Sequence, residues 1–212
     1  ELVAAMARAG FLGFFGAAGL SSATVSSAID RLSAELGGLP WGVNFIHSPN
    51  EPKLEFELCE LFIKKGVRLV ESSAYMGLTL PIVRYRVHGL SRGPDGAVHA
   101  PNRIIAKLSR VEVATRFFSP PPQEMLRALV AGGELTQEQA RMAGEIPLAQ
   151  DVTVEADSGG HTDNRPLVTL LPTMLALAER LQKRFGYRAK LRVGAGGGIA
   201  TPESAAAAFA MG

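Results

Sequence analysis

The sequence has little cysteine, no long apolar run and almost no excess of charge of one sign. Each of these features excludes a class of protein. A single cysteine, Cys59, among 212 residues builds neither a disulfide framework nor a cysteine-rich metal site. No apolar run reaches the roughly 18 residues that a membrane-spanning helix requires, and no basic-then-apolar leader opens the chain. We therefore expect a cytoplasmic protein with no membrane partner, in a compartment that keeps thiols reduced.

The net charge and the hydrophobic content further restrict the class of protein. Twenty-two Lys and Arg residues oppose twenty Asp and Glu, a net charge of +2, and no run of like charges forms a stripe that could follow a phosphate backbone. We therefore expect no nucleic-acid partner. Hydrophobic residues make up 47% of the chain, which supports a sizeable core and argues against disorder.

Short apolar runs alternate with helical patterns along the chain. The runs that predict strands are residues 11–18, 41–49, 67–74, 103–109, 151–157 and 190–196. They are apolar throughout, which is typical of a parallel sheet covered on both faces. Six β/α units favour a (β/α)8 TIM barrel without its first and last strands over an open doubly wound sheet. We expect residues 1–212 to be one domain and a fragment of a longer chain.

Two helices can be placed in detail. In residues 21–38, Ser22 is the expected N-cap and Gly37 the expected stop. The apolar face of that helix is Val25, Ile29, Leu32 and Leu36. In the helical pattern "LEFELCELFIKKG" of residues 54–66, Cys59 lies among apolar positions, so the expected state of its thiol is burial in the core.

Two connections differ from the rest. Residues 75–102 are rich in Pro, Gly and Arg, with a turn at "GPDG", which predicts an irregular excursion containing a small hairpin. Residues 111–150 are divided by "SPPP" and "AGG" and predict two or three short helices. Neither segment has the composition of a domain linker.

Polar residues gather where the predicted strands end, and in a β/α barrel this edge of the sheet carries the chemistry. From the second strand onward they are Asn44 with His47, Glu71 with Ser72, Lys107 with Ser109, residues 157–164, and the glycines of residues 194–198. Convergence of five strand ends predicts a site at this edge. Strand ends are also wetter than strand middles in general, so ordinary solvation is the alternative explanation.

The glycine-rich stretch "VGAGGGIATPES" can be interpreted in three ways. A dinucleotide fingerprint needs a further glycine at the position of Ile199, which disfavours that interpretation. Thr201 as N-cap, Pro202 at the first helical position and Glu203 after it predict a helix start behind a bare backbone. Such an arrangement favours a phosphate site, and a tight turn without a ligand is the alternative.

The segment "VEADSGGHTDNRP" combines glycines with a histidine at a strand end. Gly159 and Gly160 would let the chain pass close to a flat ligand. His161 has a reference pKa of about 6.5, so it can act as an acid, a base or a neutral donor. The segment is either a functional site or only a polar turn.

A metal site is the other interpretation of this segment. Asp157, His161 and Asp163 are metal-ligating residue types. No second histidine or cysteine lies at ligand spacing, and hard metal ions prefer more carboxylates, so we expect no metal here.

The segments "EADSGGHTDNRPLV", "VGAGGGIATPESAAAAFAMG", "GVNFIHSP" and "NRIIAKLSRVEVA" resemble the PfaD family. These are flavin-dependent enoyl reductases of polyunsaturated fatty acid and trans-acyltransferase polyketide synthases, related to the nitronate monooxygenases. The resemblance runs along essentially the whole chain, and "EADSGGHTDNRP" is more specific than the "GGH" core common to all the relatives.

The resemblance implies an FMN-binding barrel in which NADPH reduces the flavin and an enoyl thioester on an acyl carrier protein is then reduced. It implies other synthase components as partners and is compatible with a homodimer. His161 matches the family's active-site histidine. The expected flavin contacts are Asn44, Lys107, Glu155, Ser158, Gly159, Gly160, Gly194, Gly196, Gly197 and Gly198. A nitronate monooxygenase-type flavoenzyme and a non-catalytic docking barrel are the alternatives.

Overall fold

The computed structural model describes residues 1–157 and 163–212. The strands of these residues are Gly13–Phe15 (β1), Trp41–Ile46 (β2), Leu69–Ser73 (β3), Ser91–Arg92 (β4), Val98–His99 (β5), Arg103–Leu108 (β6), Asp151–Glu155 (β7) and Arg192–Gly196 (β8). The helices are Leu2–Arg8 (α1), Ser22–Leu36 (α2), Pro52–Lys64 (α3), Leu80–Val87 (α4), Val111–Phe118 (α5), Gln123–Ala131 (α6), Gln137–Ala143 (α7), Leu167–Phe185 (α8) and Pro202–Ala210 (α9). Within the same residues, no helix has the length and apolarity needed to cross a bilayer.

The main sheet is parallel throughout, with its strands in the order β1, β2, β3, β6, β7, β8. Parallel neighbours need crossover connections, and each connection in this sheet contains at least one helix. β1 and β8 are the two ends of the sheet. All six predicted strands are therefore confirmed, in the arrangement that successive β/α units of a barrel adopt.

The two faces of the sheet have different surroundings. Val43 and Phe45 of β2 are fully buried on the face that α3 covers, where the rings of Phe45 and Phe62 meet edge-on with centroids 5.2 Å apart. Successive residues of a strand point to opposite faces, so Asn44 points to the other face. We call that face, which lies opposite the helices, the inner face of the sheet.

Helix α2 begins with a cap one residue earlier than predicted. The expectation for Ser22 is wrong: Ser21 has the extended backbone of an N-cap, and its hydroxyl accepts from the N–H of Thr24 at 3.2 Å. Ser22 is instead the first helical residue, and its hydroxyl donates to Glu57 at 2.8 Å. Gly37 ends the helix as predicted, with a φ of 53°. The predicted apolar face is buried along its length, at Val25, Ile29, Leu32 and Leu36.

Cys59 is fully buried in α3, as predicted. Its thiol lies 3.2 Å from the carbonyl oxygen of Pro81 and donates to it. Burial raises the pKa of this thiol to about 12. Because the thiolate is the reactive form, Cys59 is an inert core residue near neutral pH.

The first long connection is more regular than its composition predicted. Residues 75–102 contain the predicted hairpin, formed by β4 and β5, but they also contain α4. Thr79 caps this helix, and Pro81 lies in its first turn. Nearly all residues of α4 are buried, so it lacks the one-sided apolar stripe that reveals a helix in sequence. The second connection, residues 111–150, contains the predicted short helices, α5 to α7.

Candidate active site at the carboxyl ends of the strands

Asn44, Glu71 and Ser73 meet on the inner face of β2 and β3. The strand register pairs Asn44 with Glu71. The Asn44 amide nitrogen Nδ2 donates to Ser73 Oγ at 2.9 Å and to Glu71 Oε2 at 3.3 Å. These bonds fix the orientation of the Asn44 carboxamide. Both Asn44 and Glu71 lie within the strands and not beyond them, because pairing continues to Ile46 and Ser73.

Lys107 and Glu155 form an ion pair on the inner face of β6 and β7. The Lys107 Nζ lies 3.4 Å from Glu155 Oε1. The Glu155 side chain is 7% exposed and that of Lys107 31% exposed. Burial of a carboxylate is costly unless a positive charge or donors compensate it, and Lys107 supplies that compensation. Two residues predicted to contact one cofactor therefore contact each other.

The inner face of β8 is bare backbone at its carboxyl end, where Gly194 and Gly196 lie. Gly194 pairs with Thr153 and Gly196 with Glu155 in the register. A Cβ added at Gly196 would lie 2.9 Å from Thr153 Cγ2, which is closer than real Cβ contacts, whereas at Gly194 the nearest atom would be 3.8 Å away. The position of Gly196 thus has no space for a side chain, and a ligand can approach the backbone there closely.

The turn between β8 and α9 is built on two glycines. Gly197 and Gly198 have φ angles of 85° and 70°, in the left-handed region that favours glycine. Thr201 caps α9 as predicted, with a capping box that involves Ser204. Ser204 Oγ also accepts from the N–H groups of Ala200 and Thr201, both at 3.0 Å. Because the cap already uses those two amides, an anion in this turn would contact the glycine backbone that precedes them.

A cavity of about 200 Å³ lies where β3, β6 and β7 end. Its lining residues are Ala74, Tyr75, Met76, Lys107, Leu108, Ser109, Arg110, Val113 and Glu155. Pockets for whole drug-sized ligands are larger, about 300 to 1,000 Å³, so this cavity suits one part of a cofactor or substrate. It brings the predicted Lys107, Ser109 and Glu155 together. Asn44 and the glycines of β8 lie on the inner face outside this lining.

Asp163, two residues beyond His161 in the sequence, is held by the loop after β6. Ser109 Oγ donates to Asp163 Oδ2 at 3.0 Å, and the Arg110 Nη2 donates to Asp163 Oδ1 at 2.9 Å. Hydrogen bonds from Arg110, then from Ser109, hold the pKa of the Asp163 carboxyl below its usual value. Four predicted site residues lie outside the described residues: Ser158, Gly159, Gly160 and His161.

A polar cluster between β2, α3 and the loop after β3 was missed by sequence reasoning. His47 directly follows β2, as predicted, and its Nδ1 lies 2.8 Å from Glu55 Oε2, a contact that was not predicted. A signal was present in the sequence, since Glu55 precedes the buried Leu58 and Cys59 by three and four residues. An acid on the apolar stripe of a helix indicates a buried polar contact.

The remaining predictions concern Ser72, expected beside Glu71 at a strand end, and metal binding. Ser72 faces the helices, fully buried, and so takes no part in the inner face. Within residues 1–157 and 163–212, no three side chains of His, Cys, Asp or Glu are grouped so that they could hold a metal ion.

Parallel strands with helical crossovers, and polar residues gathered at their carboxyl ends, define an α/β barrel protein with its site at one rim. A solved IMP dehydrogenase/GMP reductase-like protein from Corynebacterium glutamicum has the same fold. It is 14% identical, with a TM-score of 0.63 over 100% of this chain and 57% of that chain. The TIM-barrel class predicted from the sequence is confirmed.

Closer relatives are synthase proteins. The chain is 51% identical over its whole length to a polyunsaturated fatty acid synthase polypeptide of Thraustochytrium sp., of which it covers 14%. It is 44% identical, again over its whole length, to the polyketide biosynthesis protein PksE of Bacillus subtilis, of which it covers 28%. No family model matches the chain.

The enoyl reductase domain of MlnA, from the macrolactin biosynthesis cluster of Bacillus amyloliquefaciens, superposes with a TM-score of 0.95 at 40% identity. The match covers 100% of this chain and 48% of that one. The chain is therefore homologous to a region of polyunsaturated fatty acid and polyketide synthase proteins, and the resemblance predicted from its sequence is confirmed.

Proposed function

We propose that this barrel reduces the α,β double bond of an enoyl thioester carried on an acyl carrier protein, with FMN as redox cofactor and NADPH as hydride source. The observation that carries the proposal is the TM-score of 0.95, at 40% identity, with the enoyl reductase domain of MlnA. Similarity over the whole chain to two further synthase proteins supports the same setting, polyunsaturated fatty acid or polyketide synthesis.

The residues of β8 and the turn after it fit a flavin nucleotide. Gly196 excludes a side chain because of Thr153, and a Cβ at Gly198 would lie 3.1 Å from Asp157 Oδ1. The backbone of residues 196–198 would contact the phosphate, while Gly194 leaves room on the inner face for the ring system. FMN held there would supply the transfer of a hydride from NADPH to the β-carbon of the enoyl thioester.

Asn44 and Lys107 would contact the same cofactor from the opposite strands. The donor side of the Asn44 carboxamide is already used by Ser73 and Glu71, so this residue offers its Oδ1 as an acceptor. Lys107 is paired with Glu155 at 3.4 Å, and the pair is neutral overall. Lys107 therefore favours a negatively charged ligand less than an unpaired lysine would.

His161 would supply the proton that completes the reduction. Hydride addition at the β-carbon develops negative charge on the α-carbon and the thioester oxygen. An imidazolium can donate its proton to the α-carbon, which gives the saturated thioester directly. An imidazole N–H can instead stabilise the negative oxygen, and water then supplies the proton that the α-carbon needs. Asp163, two residues further along the chain, contacts Ser109 and Arg110 of the cavity lining, which supports a role for His161 at this site.

The test is NADPH oxidation by the purified full chain with three additions: a crotonyl-type thioester, a nitronate with oxygen, and buffer alone. The proposal expects the thioester to accelerate oxidation strongly. Fast oxygen-dependent turnover of the nitronate with no response to the thioester would indicate a nitronate monooxygenase-type enzyme. A protein that binds no flavin and oxidises no NADPH would be a docking barrel, and either result would overturn the proposal.

A further inference from the structure

A buried carboxylate lies outside the site described so far. The Glu55 side chain is 3% exposed, yet it is contacted by three polar groups from two other segments. His47 Nδ1 lies 2.8 Å from Oε2, the Tyr75 hydroxyl lies 3.2 Å from Oε1, and the Thr79 hydroxyl also donates to Oε1. An ionised carboxylate only accepts hydrogen bonds, so all three partners donate to it. We call Glu55, His47, Tyr75 and Thr79 the Glu55 network.

The Glu55 network joins the end of β2, the start of α3 and the loop between β3 and α4. Burial, then the charge of Glu55, raises the pKa of Tyr75 well above its usual value, so the phenol keeps its proton and remains a donor. The ring of Tyr75 stacks on His47, with centroids 5.2 Å apart, and meets Phe45 and Phe117 edge-on. Tyr75 is thus fixed by its ring and by its hydroxyl.

The loop that Tyr75 belongs to forms one wall of the cavity. Ala74 has a φ of 62°, a left-handed conformation that is costly for any residue with a Cβ. Such strain persists only where surrounding contacts enforce it, and it is concentrated at functional sites. Ala74, Tyr75 and Met76 line the cavity together with Lys107 and Glu155. The Glu55 network therefore lies directly behind the part of the wall that is strained.

We propose that His47 and Glu55 are positioning residues that, through Tyr75, fix the strained wall of residues 74–76 against the thioester substrate. This inference rests on the proposed function, because it assigns the cavity to the substrate. Neither His47 nor Glu55 lines the cavity, so both act through Tyr75. A network that served stability alone would not need to hold Ala74 in a strained conformation at the cavity.

Tyr75→Phe removes the hydroxyl contact and keeps the buried ring. Its matched control is Tyr85→Phe, since Tyr85 is also a fully buried ring and its hydroxyl donates to the Val67 carbonyl oxygen at 2.9 Å, before the start of β3. We expect Tyr75→Phe to raise KM for the thioester on the order of tenfold, as loss of substrate positioning does, with kcat less affected. Amide hydrogen exchange in residues 74–79 should accelerate, and Tyr85→Phe should change neither quantity.

His47 variants test the network without altering Tyr75. His47→Asn keeps a side-chain N–H that can replace Nδ1, so it should retain most of the wild-type KM, whereas His47→Ala should resemble Tyr75→Phe. Unchanged KM and unchanged exchange in both Tyr75→Phe and His47→Ala would overturn the inference. A wild-type protein that does not reduce the thioester would overturn the proposed function instead, and the exchange data would still decide whether the network fixes the loop.

Discussion

The guanidinium of Arg110 donates to both carboxylate oxygens of Asp163, from Nη2 to Oδ1 at 2.9 Å and from Nε to Oδ2 at 3.1 Å. The two-point contact joins the segment after β6 to the segment after β7. Such a fork fixes direction as well as distance, which a single charge contact does not. Asp163 follows His161 by two residues, so this contact lies close along the chain to the proposed proton donor.

Asp163→Asn should slow the reaction more than it destabilises the protein. The pair is partly exposed to solvent, so its loss should have little effect on the free energy of unfolding. We expect kcat/KM to fall about tenfold, because Asp163 lies two residues from the proposed proton donor in the sequence and loses its contact with Arg110. Glu179→Gln, which breaks the exposed Glu179–Lys183 pair of α8 (2.7 Å), is the control that should affect neither quantity. Equal kcat/KM in the two variants would contradict a role of this contact in the reaction.

The stabilising effect of the Arg110–Asp163 pair should disappear in acid. Arg110 and Ser109 lower the pKa of Asp163 below its unfolded value of about 3.9. A group whose folded pKa is lowered contributes stability that is present above the unfolded pKa and is lost as pH falls through the folded pKa. The difference in unfolding free energy between wild type and Asp163→Asn should be constant from neutral pH to about pH 5, then shrink at lower pH. A difference that grows in acid would contradict this sign.

The two inner-face glycines of β8 should respond differently to alanine. At Gly196 the new Cβ would lie 2.9 Å from Thr153 Cγ2, so Gly196→Ala should cost about 1 to 3 kcal/mol of stability. At Gly194 the nearest atom would be 3.8 Å away, so Gly194→Ala should leave stability nearly unchanged. Chemical unfolding measures both. If the flavin lies on this face, Gly196→Ala should also purify with less bound flavin, which the visible absorption spectrum reports.

His161→Ala should retain the bound flavin and lose most of its activity. Loss of a general acid typically costs about 10² or more in rate. Rapid mixing of the reduced variant with an enoyl thioester measures this step directly. Turnover at the wild-type rate would remove the proposed role of His161.

Adjacent serines in β3 should have opposite effects on stability. Among the described residues, Ser72 Oγ is a buried side-chain atom with no hydrogen-bond partner, whereas Ser73 Oγ accepts from Asn44 Nδ2 at 2.9 Å. An unpartnered buried hydroxyl is costly, so Ser72→Ala should raise the free energy of unfolding by about 1 kcal/mol. Ser73→Ala should lower it, because the Asn44 amide loses a partner. A destabilised Ser72→Ala protein would mean that the hydroxyl is satisfied in solution.

The sequence predicted the strands well because each is a compact apolar run between turn residues. The resemblance to the PfaD family, and not the strand pattern, assigned Lys107 and Glu155 to one site before any contact was known. The exact contact between them depends on strand register, which the apolar runs do not specify. Helix α4 was missed for the opposite reason, since burial on all sides removes the periodic signal.

Contacts between distant segments were the least predictable part of the site. Glu55 and Tyr75 are separated by a helix and a strand, and only the folded chain brings their side chains together. The prediction of the N-cap of α2 was wrong by one residue, because Ser21 and Ser22 are chemically identical and only the backbone conformation distinguishes them. The chemistry of a side chain can be inferred from its residue type, whereas the residue that it contacts can be identified only from the tertiary structure.

The most direct test of the account is single-turnover mixing of the NADPH-reduced protein with an enoyl thioester, in the absence of oxygen, while the flavin absorption is followed. The account predicts that the oxidised flavin spectrum returns rapidly as the saturated thioester forms. A flavin that stays reduced in the presence of the thioester and reoxidises only when oxygen is admitted would contradict it.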